Sequence, residues 1–352
     1  LSSFEQHLNE PITRPAPEAH ELPPGVPVGT FGELVEHAEA ELAQFQTVHE
    51  PLPTTTDGRV DASQLLVALD IDGTILQADG TTSPRMKQAV KDLRDRGAKV
   101  VIASGRGPVA VQSISKQLAQ PGDYLVCANG AVTIQLDSVE PFEYRIVDRV
   151  DFVPREALLA LERVVPDMIF GVEITGKCFK VNRPFPVGEL TGQQVVAPLA
   201  DLLDEPVVRA IARAPQMTLA EFEQAVAAAK LDMVECAIGW TSWVDIGPKG
   251  VSKASALETL RQTLGLPQLG TIAFGDGWND AQMLQWAHLS VAMGDAPQGV
   301  VDLASARAAT VAADGVPAWV QAILAGSGTQ TGTNTTVAPE FQGDSADPTR
   351  EA

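Results

Sequence analysis

Short apolar runs that stop abruptly at acids, glycines or hydroxyl residues divide the chain. The clearest is Leu65-Leu66-Val67-Ala68-Leu69, which ends at Asp70-Ile71-Asp72-Gly73-Thr74. An uninterrupted apolar run bounded by a turn signal reads as a strand buried on both faces, the kind found in parallel sheets. Runs at 99–103 and 124–128 repeat the pattern and end at Ser104-Gly105-Arg106-Gly107 and Asn129-Gly130. Between the first two, Ser83-Pro84 has the form of an N-cap and first helical residue. Met86, Val90 and Leu93 follow at helical spacing, and Gly97 closes the helix. A further helix reaches to about 119. Strands alternating with helices predict an α/β fold, a doubly wound, Rossmann-like parallel sheet.

The rhythm changes near 148. A helix over 154–164 precedes strand-like runs at 168–174 and 178–182, and a proline-punctuated stretch leads to a strand at 207–213, a helix at 218–229 and a strand at 231–238. Residues 148–242 therefore read as an inserted α+β unit. The earlier alternation then resumes with a helix over 251–264 and a strand over 271–275, which ends at Asp276-Gly277-Trp278-Asn279-Asp280. Strands at 289–293 and 308–312 and a helix at 316–324 finish the core, which thus spans 64–147 and 243–325. Residues 1–63 form an extension with one amphipathic helix at about 31–46. That helix opens with the capping-box spacing Thr30-Phe31-Gly32-Glu33, and Leu34, Ala38, Leu42 and Phe45 make its apolar stripe. Residues 1–29 and 326–352, rich in small, polar and proline residues, are expected to be disordered.

Composition narrows the function. A net charge of −20 argues against nucleic acid and anionic membrane as partners, so an anionic ligand needs local help. No apolar stretch is long enough for a membrane span, and no signal peptide is visible. Cys127, Cys178 and Cys236 are scattered and odd in number, which suggests reduced, buried thiols in a cytoplasmic protein.

The chemistry gathers at strand ends, where open α/β sheets bind ligands. Side chains two apart on a strand point the same way, so Asp70 and Asp72 sit side by side and repel unless something positive intervenes. An all-oxygen set suits magnesium. Ser104 either caps a helix or bonds a phosphate oxygen at that helix N-terminus. Lys253, with Lys249 as a competitor four residues earlier, is either a solvated side chain or the positive charge of the site. Asp276 can approach the same cation as Asp70. Asp280, one helical turn on, can hold Lys253 or a metal-bound water, and Asn279 lies beside it. Arg106 can contact substrate or pair with an acid, and Asn129-Gly130 can contact substrate or simply turn.

Acid pair, hydroxyl, lysine and acid cluster, in this order, resemble the haloacid dehalogenase-like (HAD) phosphohydrolases. Motif I is matched by Asp70-Ile-Asp-Gly-Thr74, motif II by Ser104, motif III by Lys253 in Gly250-Val-Ser-Lys-Ala-Ser-Ala-Leu257, and motif IV by Gly275-Asp-Gly-Trp-Asn-Asp280. The long insertion, Ala128-Asn-Gly-Ala131 and Ala292-Met-Gly-Asp-Ala296 resemble the Cof-type subfamily with its type IIB cap. Ala254, where the family usually has Gly, and the bulky Trp278 depart from the pattern. The resemblance implies a magnesium-dependent phosphatase of a small phosphorylated metabolite, such as a sugar phosphate. Asp70 would be the nucleophile, forming an aspartyl-phosphate, and Asp72 the general acid/base. Asp70, the Asp72 carbonyl and Asp276 would hold Mg2+. Ser104, Gly105, Arg106 and Asn129 would contact substrate, and Lys253 would stabilise charge. Lys180, Asn182 and Arg183 are candidate cap contacts. A phosphotransferase or phosphomutase on the same fold, or a non-catalytic phospho-ligand-binding protein, are the alternatives.

Overall fold

The computed structural model describes residues 24–77, 79–239 and 241–326. The expectation of disorder for 1–23 and for the tail beyond 326 falls outside the described residues. Strand β1 (Leu66–Leu69) is buried at every position, as an apolar run without alternation requires. Its residues still alternate between two layers. Val67 and Leu69 join a core with the helices Pro84–Asp95 and Gly315–Ala325, whereas Leu66 and Ala68 join one with Lys253–Thr263 and Ala281–Trp286. Helices therefore cover both faces of the sheet.

After β1 come β2 (Lys99–Ala103), β3 (Tyr124–Cys127), β4 (Val132–Val139) and β5 (Phe142–Arg149). A second group follows: β6 (Ile169–Ile174), β7 (Cys178–Val181), β8 (Gln194–Val196), β9 (Ala210–Arg213), β10 (Val234–Ile238) and β11 (Trp243–Pro248). The chain then returns with β12 (Thr271–Gly275), β13 (Leu289–Ala292) and β14 (Ala306–Arg307). The first sheet has the order β14-β13-β12-β1-β2-β3-β4-β5, and the second the order β10-β11-β9-β6-β7-β8. Strands from both flanks of the insertion thus build one sheet. From β1 the chain runs outward through β2 and β3, and β12 pairs with β1 on its other edge. This reversal of winding opens a crevice beyond the carboxyl ends of β1 and β12.

The first sheet is parallel from β14 to β3, as expected of a doubly wound core, and an antiparallel hairpin of β4 and β5 extends it beyond β3. Val132, Ile134 and Leu136 of β4 alternate with polar residues and are buried in the core, whereas β5 is mostly exposed and pairs with β4 through two register shifts. Two expectations are corrected. The inserted unit runs past 242, because β11 pairs with β9 and β10. The last strand is not 308–312: after Ala308 N–H donates to Ala292 O at 2.8 Å the chain leaves the sheet for a tight turn at 311–313. Buried thiols are found only in part, since Cys127 is buried while Cys236 is exposed.

The N-terminal helix spans Phe31–Val48 with both halves of its capping box made, and it buries Leu34, Ala38, Leu42 and Phe45. Its main contact is the apolar helix Gly315–Ala325. Among the described residues, no helix is long and apolar enough to cross a membrane.

Candidate active site

Asp70 leaves β1 with its N–H donating to Phe274 O of β12 at 3.1 Å, so the two strand ends that carry acids are tied together. Asp276 follows β12 directly and is buried, as is Asp70. Lys253 is the first residue of helix Lys253–Thr263, which Ser252 caps through the Ser255 N–H. Its side chain is fully buried, and its ammonium donates to Asp70 Oδ1 at 2.5 Å and Asp280 Oδ1 at 2.6 Å. The first of these joins residues 183 positions apart. Lys249 instead lies exposed, with Glu235 at 3.9 Å.

Asp280 is consumed by support. Its Oδ2 accepts the N–H groups of Asp276 and Gly277 at 3.0 and 2.9 Å, while Oδ1 takes Lys253. It thereby shapes the loop that presents Asp276, and Thr74 Oγ1 donates to Asp276 Oδ1 at 3.3 Å. One carboxylate oxygen from each of Asp70, Asp276 and Asp280 lies within 4.8 Å of the others. Three buried carboxylates around one ammonium leave excess negative charge, which a hard divalent cation would neutralise. Asp70 and Asp276 could fill that role better than Asp280, both of whose oxygens are already bonded.

Charge and burial act against each other here. Burial pushes the Asp70 carboxyl well above the usual carboxylate range, Asp280 adds to the push, and the Lys253 ammonium draws it back. Burial works against the Lys253 charge, but the Asp280 and Asp70 carboxylates overcome it and hold the ammonium above its ordinary range.

The motif II loop differs from expectation. No helix begins at Ser104; the next one spans Gln112–Leu118, so no helix dipole is aimed there. Ser104 Oγ accepts the Arg106 N–H at 3.1 Å, which still leaves its own proton to donate to a ligand. Arg106 takes the pairing alternative. Its Nε and Nη2 donate to Asp72 Oδ2 and Oδ1 at 2.9 and 2.6 Å, a two-pronged clamp on a side chain that is 41% exposed. Asn129 adopts a left-handed backbone at φ 51°, packs beside Gly105 and accepts from Asn279 Nδ2 at 3.3 Å, so these two amides join across the site mouth. Trp278 does not fill the pocket: it is 60% exposed and lies over Gly299.

Gly130, read from the sequence only as part of a turn or substrate contact, also backs the Lys253 helix. Its φ is +104°, and a Cβ there would lie 2.1 Å from the Ser252 carbonyl oxygen, at the start of the Lys253 helix. Gly130→Ala should displace that helix end and lower kcat/KM by up to about 10²-fold, as ångström-scale misplacement of a reacting group does. Gly122→Ala is the control: its φ is +92° but nothing lies within 4 Å. Kinetics on both variants separate backbone strain from displacement, and equal losses would reject the displacement account. Lys180, Asn182 and Arg183, candidates for either cap contacts or plain cap polar groups, bond within the inserted unit to Glu205, Phe170 and Met168. The inserted unit reaches the core loop through Arg209 instead, whose Nη1 donates to Gly105 O. The alternation of Arg209, Ile211 and Arg213 along one strand was the available signal.

A family model described as haloacid dehalogenase-like hydrolase matches residues 67–151 and 188–320, more than half of the chain. The chain belongs to the haloacid dehalogenase-like hydrolases. It is a HAD-type phosphatase, of the Cof-type group with an inserted cap. Among its relatives, the 5-amino-6-(5-phospho-D-ribitylamino)uracil phosphatase YitU of Bacillus subtilis is 26% identical over 280 residues, covering 74% of this chain and 98% of the relative. The pyridoxal phosphate phosphatase YbhA of Escherichia coli is 26% identical over 252 residues, covering 67% and 89%. A solved HAD phosphatase from Bacteroides thetaiotaomicron superposes with a TM-score of 0.62 at 24% identity, covering 78% of this chain and 98% of that one. A HAD subclass IIB sugar phosphatase gives 0.59 at 19% identity, covering 72% and 96%. These structures share the two-sheet fold. HAD membership implies a divalent metal, which the buried acids suit.

Proposed function

We propose that this chain is a magnesium-dependent phosphatase of small phosphomonoesters that works through an aspartyl-phosphate on Asp70. The observation that carries the reading is the Asp70 carboxylate at the winding reversal of the sheet, bonded to a fully buried lysine and beside a second strand-end acid. Asp70 would attack phosphorus, expelling the alkoxide and forming the acyl-phosphate bond. Lys253 offsets the charge of nucleophile and phosphoryl group together, from a helix start that cannot swing away. Ser104 has its hydroxyl proton to give an equatorial oxygen. Asp72 would protonate the leaving oxygen and then take a proton from the water that hydrolyses the acyl-phosphate. Both of its oxygens are clamped by Arg106 at rest, so delivering the proton requires that pair to open. Mg2+ held by Asp70, Asp276 and the Asp72 carbonyl would supply the positive charge that lets an anionic nucleophile approach an anionic phosphate.

The substrate is proposed to be a small phosphorylated metabolite. The activities of the two relatives and of the solved sugar phosphatase, on a ribitylaminouracil phosphate, pyridoxal phosphate and sugar phosphates, define the panel to test. Phosphate release from p-nitrophenyl phosphate should require Mg2+, fall to background with EDTA and return on adding Mg2+ back. Release that persists after chelation would reject the metal assignment. Adding a free sugar and assaying for a new phosphorylated sugar distinguishes hydrolysis from phosphotransfer.

A further inference from the structure

The second sheet buries Phe170, Val172, Ala210, Ala212, Val244 and Ile246 on one face, against helices Arg155–Val164 and Leu219–Ala229. By the two-residue period of strands, Glu173, Arg209 and Asp245 belong to the other face. Arg209 Nε lies 3.0 Å from Glu173 Oε2, and its Nη1 lies 3.5 Å from Asp245 Oδ1. The side chains of Arg209 and Glu173 are 8% and 3% exposed. The guanidinium carbon sits 5.4 Å from the centre of the Phe179 ring. Glu173 and Phe179 fall in the segment 152–187, which lies outside the family match.

A buried arginine–glutamate pair with a half-buried aspartate beside it is a poor way to hold a small sheet together, since well-packed apolar residues serve as well or better. This trio has a feature that mere folding does not explain. One donor of its arginine leaves the inserted unit and bonds the Gly105 carbonyl of the motif II loop. The core accommodates it closely: a Cβ on Gly107 would lie 1.9 Å from Glu173 Oε1.

The Gly105 carbonyl and the Arg106 N–H belong to one planar peptide unit. A donor fixed on that carbonyl therefore fixes the direction of the N–H. That N–H is the group that donates to Ser104 Oγ at 3.1 Å. The chain of contacts runs from Glu173 and Asp245 through Arg209 to a peptide plane, and from there to a hydroxyl at the edge of the phosphate site.

We propose that Arg209, held in place by Glu173 and Asp245, is a positioning residue. It seats the inserted cap on the core, locks the Gly105–Arg106 peptide and so aims the Ser104 hydroxyl. Its catalytic consequence rests on the phosphatase reading; its structural consequence does not.

Two measurements test this. The first is amide hydrogen exchange on the wild type and on Arg209→Lys, which keeps the charge but cannot fork to Glu173, Asp245 and Gly105 at once. The Arg106 amide should exchange about tenfold faster, the size of one charge-assisted hydrogen bond, while Phe170 and Ala212 inside the cap stay protected. Glu173→Gln, which keeps the shape of its side chain, should shift the same amide in the same direction by less, and carries the test if Arg209→Lys does not fold. Unchanged Arg106 protection in a folded variant overturns the proposal, even if the wild type hydrolyses no phosphate ester tried.

The second is a double-mutant cycle with Ser104→Ala. Arg209→Lys should lower kcat/KM about tenfold alone and hardly at all in the Ser104→Ala background. Full additivity means that Arg209 does not act through Ser104, and overturns the proposal while leaving the phosphatase reading intact.

Discussion

Asp70→Asn should abolish turnover, lowering kcat by about 10⁴-fold or more, the range seen when a covalent nucleophile is removed. The variant should nonetheless fold and keep its melting temperature or raise it. Burial disfavours the Asp70 carboxylate, so neutralising it removes a cost, and the asparagine oxygen can still accept the Lys253 proton now made to Asp70 Oδ1. Activity and stability should therefore part company, as expected of a group kept for chemistry rather than for the fold. A thermal melt alongside phosphate release tests both halves. A variant that is inactive because it is unfolded would leave Asp70 as a structural acid and sink the assignment.

Lys253→Ala should fail in both respects. It removes a charge-stabilising donor, for which a loss in kcat/KM of about 10²-fold or more is expected. It also leaves Asp70 and Asp280, both buried, without the ammonium that joins them. Breaking a buried pair by removing one partner costs about 3–5 kcal/mol, so the melting temperature should drop clearly. Lys253→Met, which keeps much of the volume, separates the charge from the cavity. Lys249→Ala should change neither readout, since that lysine is exposed and lies 3.9 Å from Glu235. If Lys249→Ala were the damaging substitution, the choice of lysine would be wrong.

What could be read along the chain was whatever depends on near neighbours. The apolar run before Asp70 was legible as a fully buried strand, and Ser83-Pro84 and Thr30-Glu33 as helix starts, because strand period and capping are settled within a few residues. The strand-end acids and the lysine at a helix start were legible for the same reason. Their types and order matched a known family, and that family match extends over residues 67–151 and 188–320.

Tertiary structure decided which of these groups meet and in what state. Antiparallel pairing with the distant strand Ala210–Arg213 put Trp243–Pro248 into the second sheet, against the local rhythm. Arg106 could pair or reach for substrate on sequence grounds, and only the folded loop put it on Asp72, 34 positions away. Asp280 was open as a holder of Lys253 or of a metal-bound water, and three hydrogen bonds made it a scaffold. Gly130 was legible only within a turn or substrate contact, and Arg209 only as a charge alternating along a strand, because each matters through a backbone carbonyl far along the chain: Ser252 for the first, Gly105 for the second. A hydrophobic pattern reports which side of an element is buried, but a hydrogen bond depends on position to a fraction of an ångström, which only packing of distant segments sets.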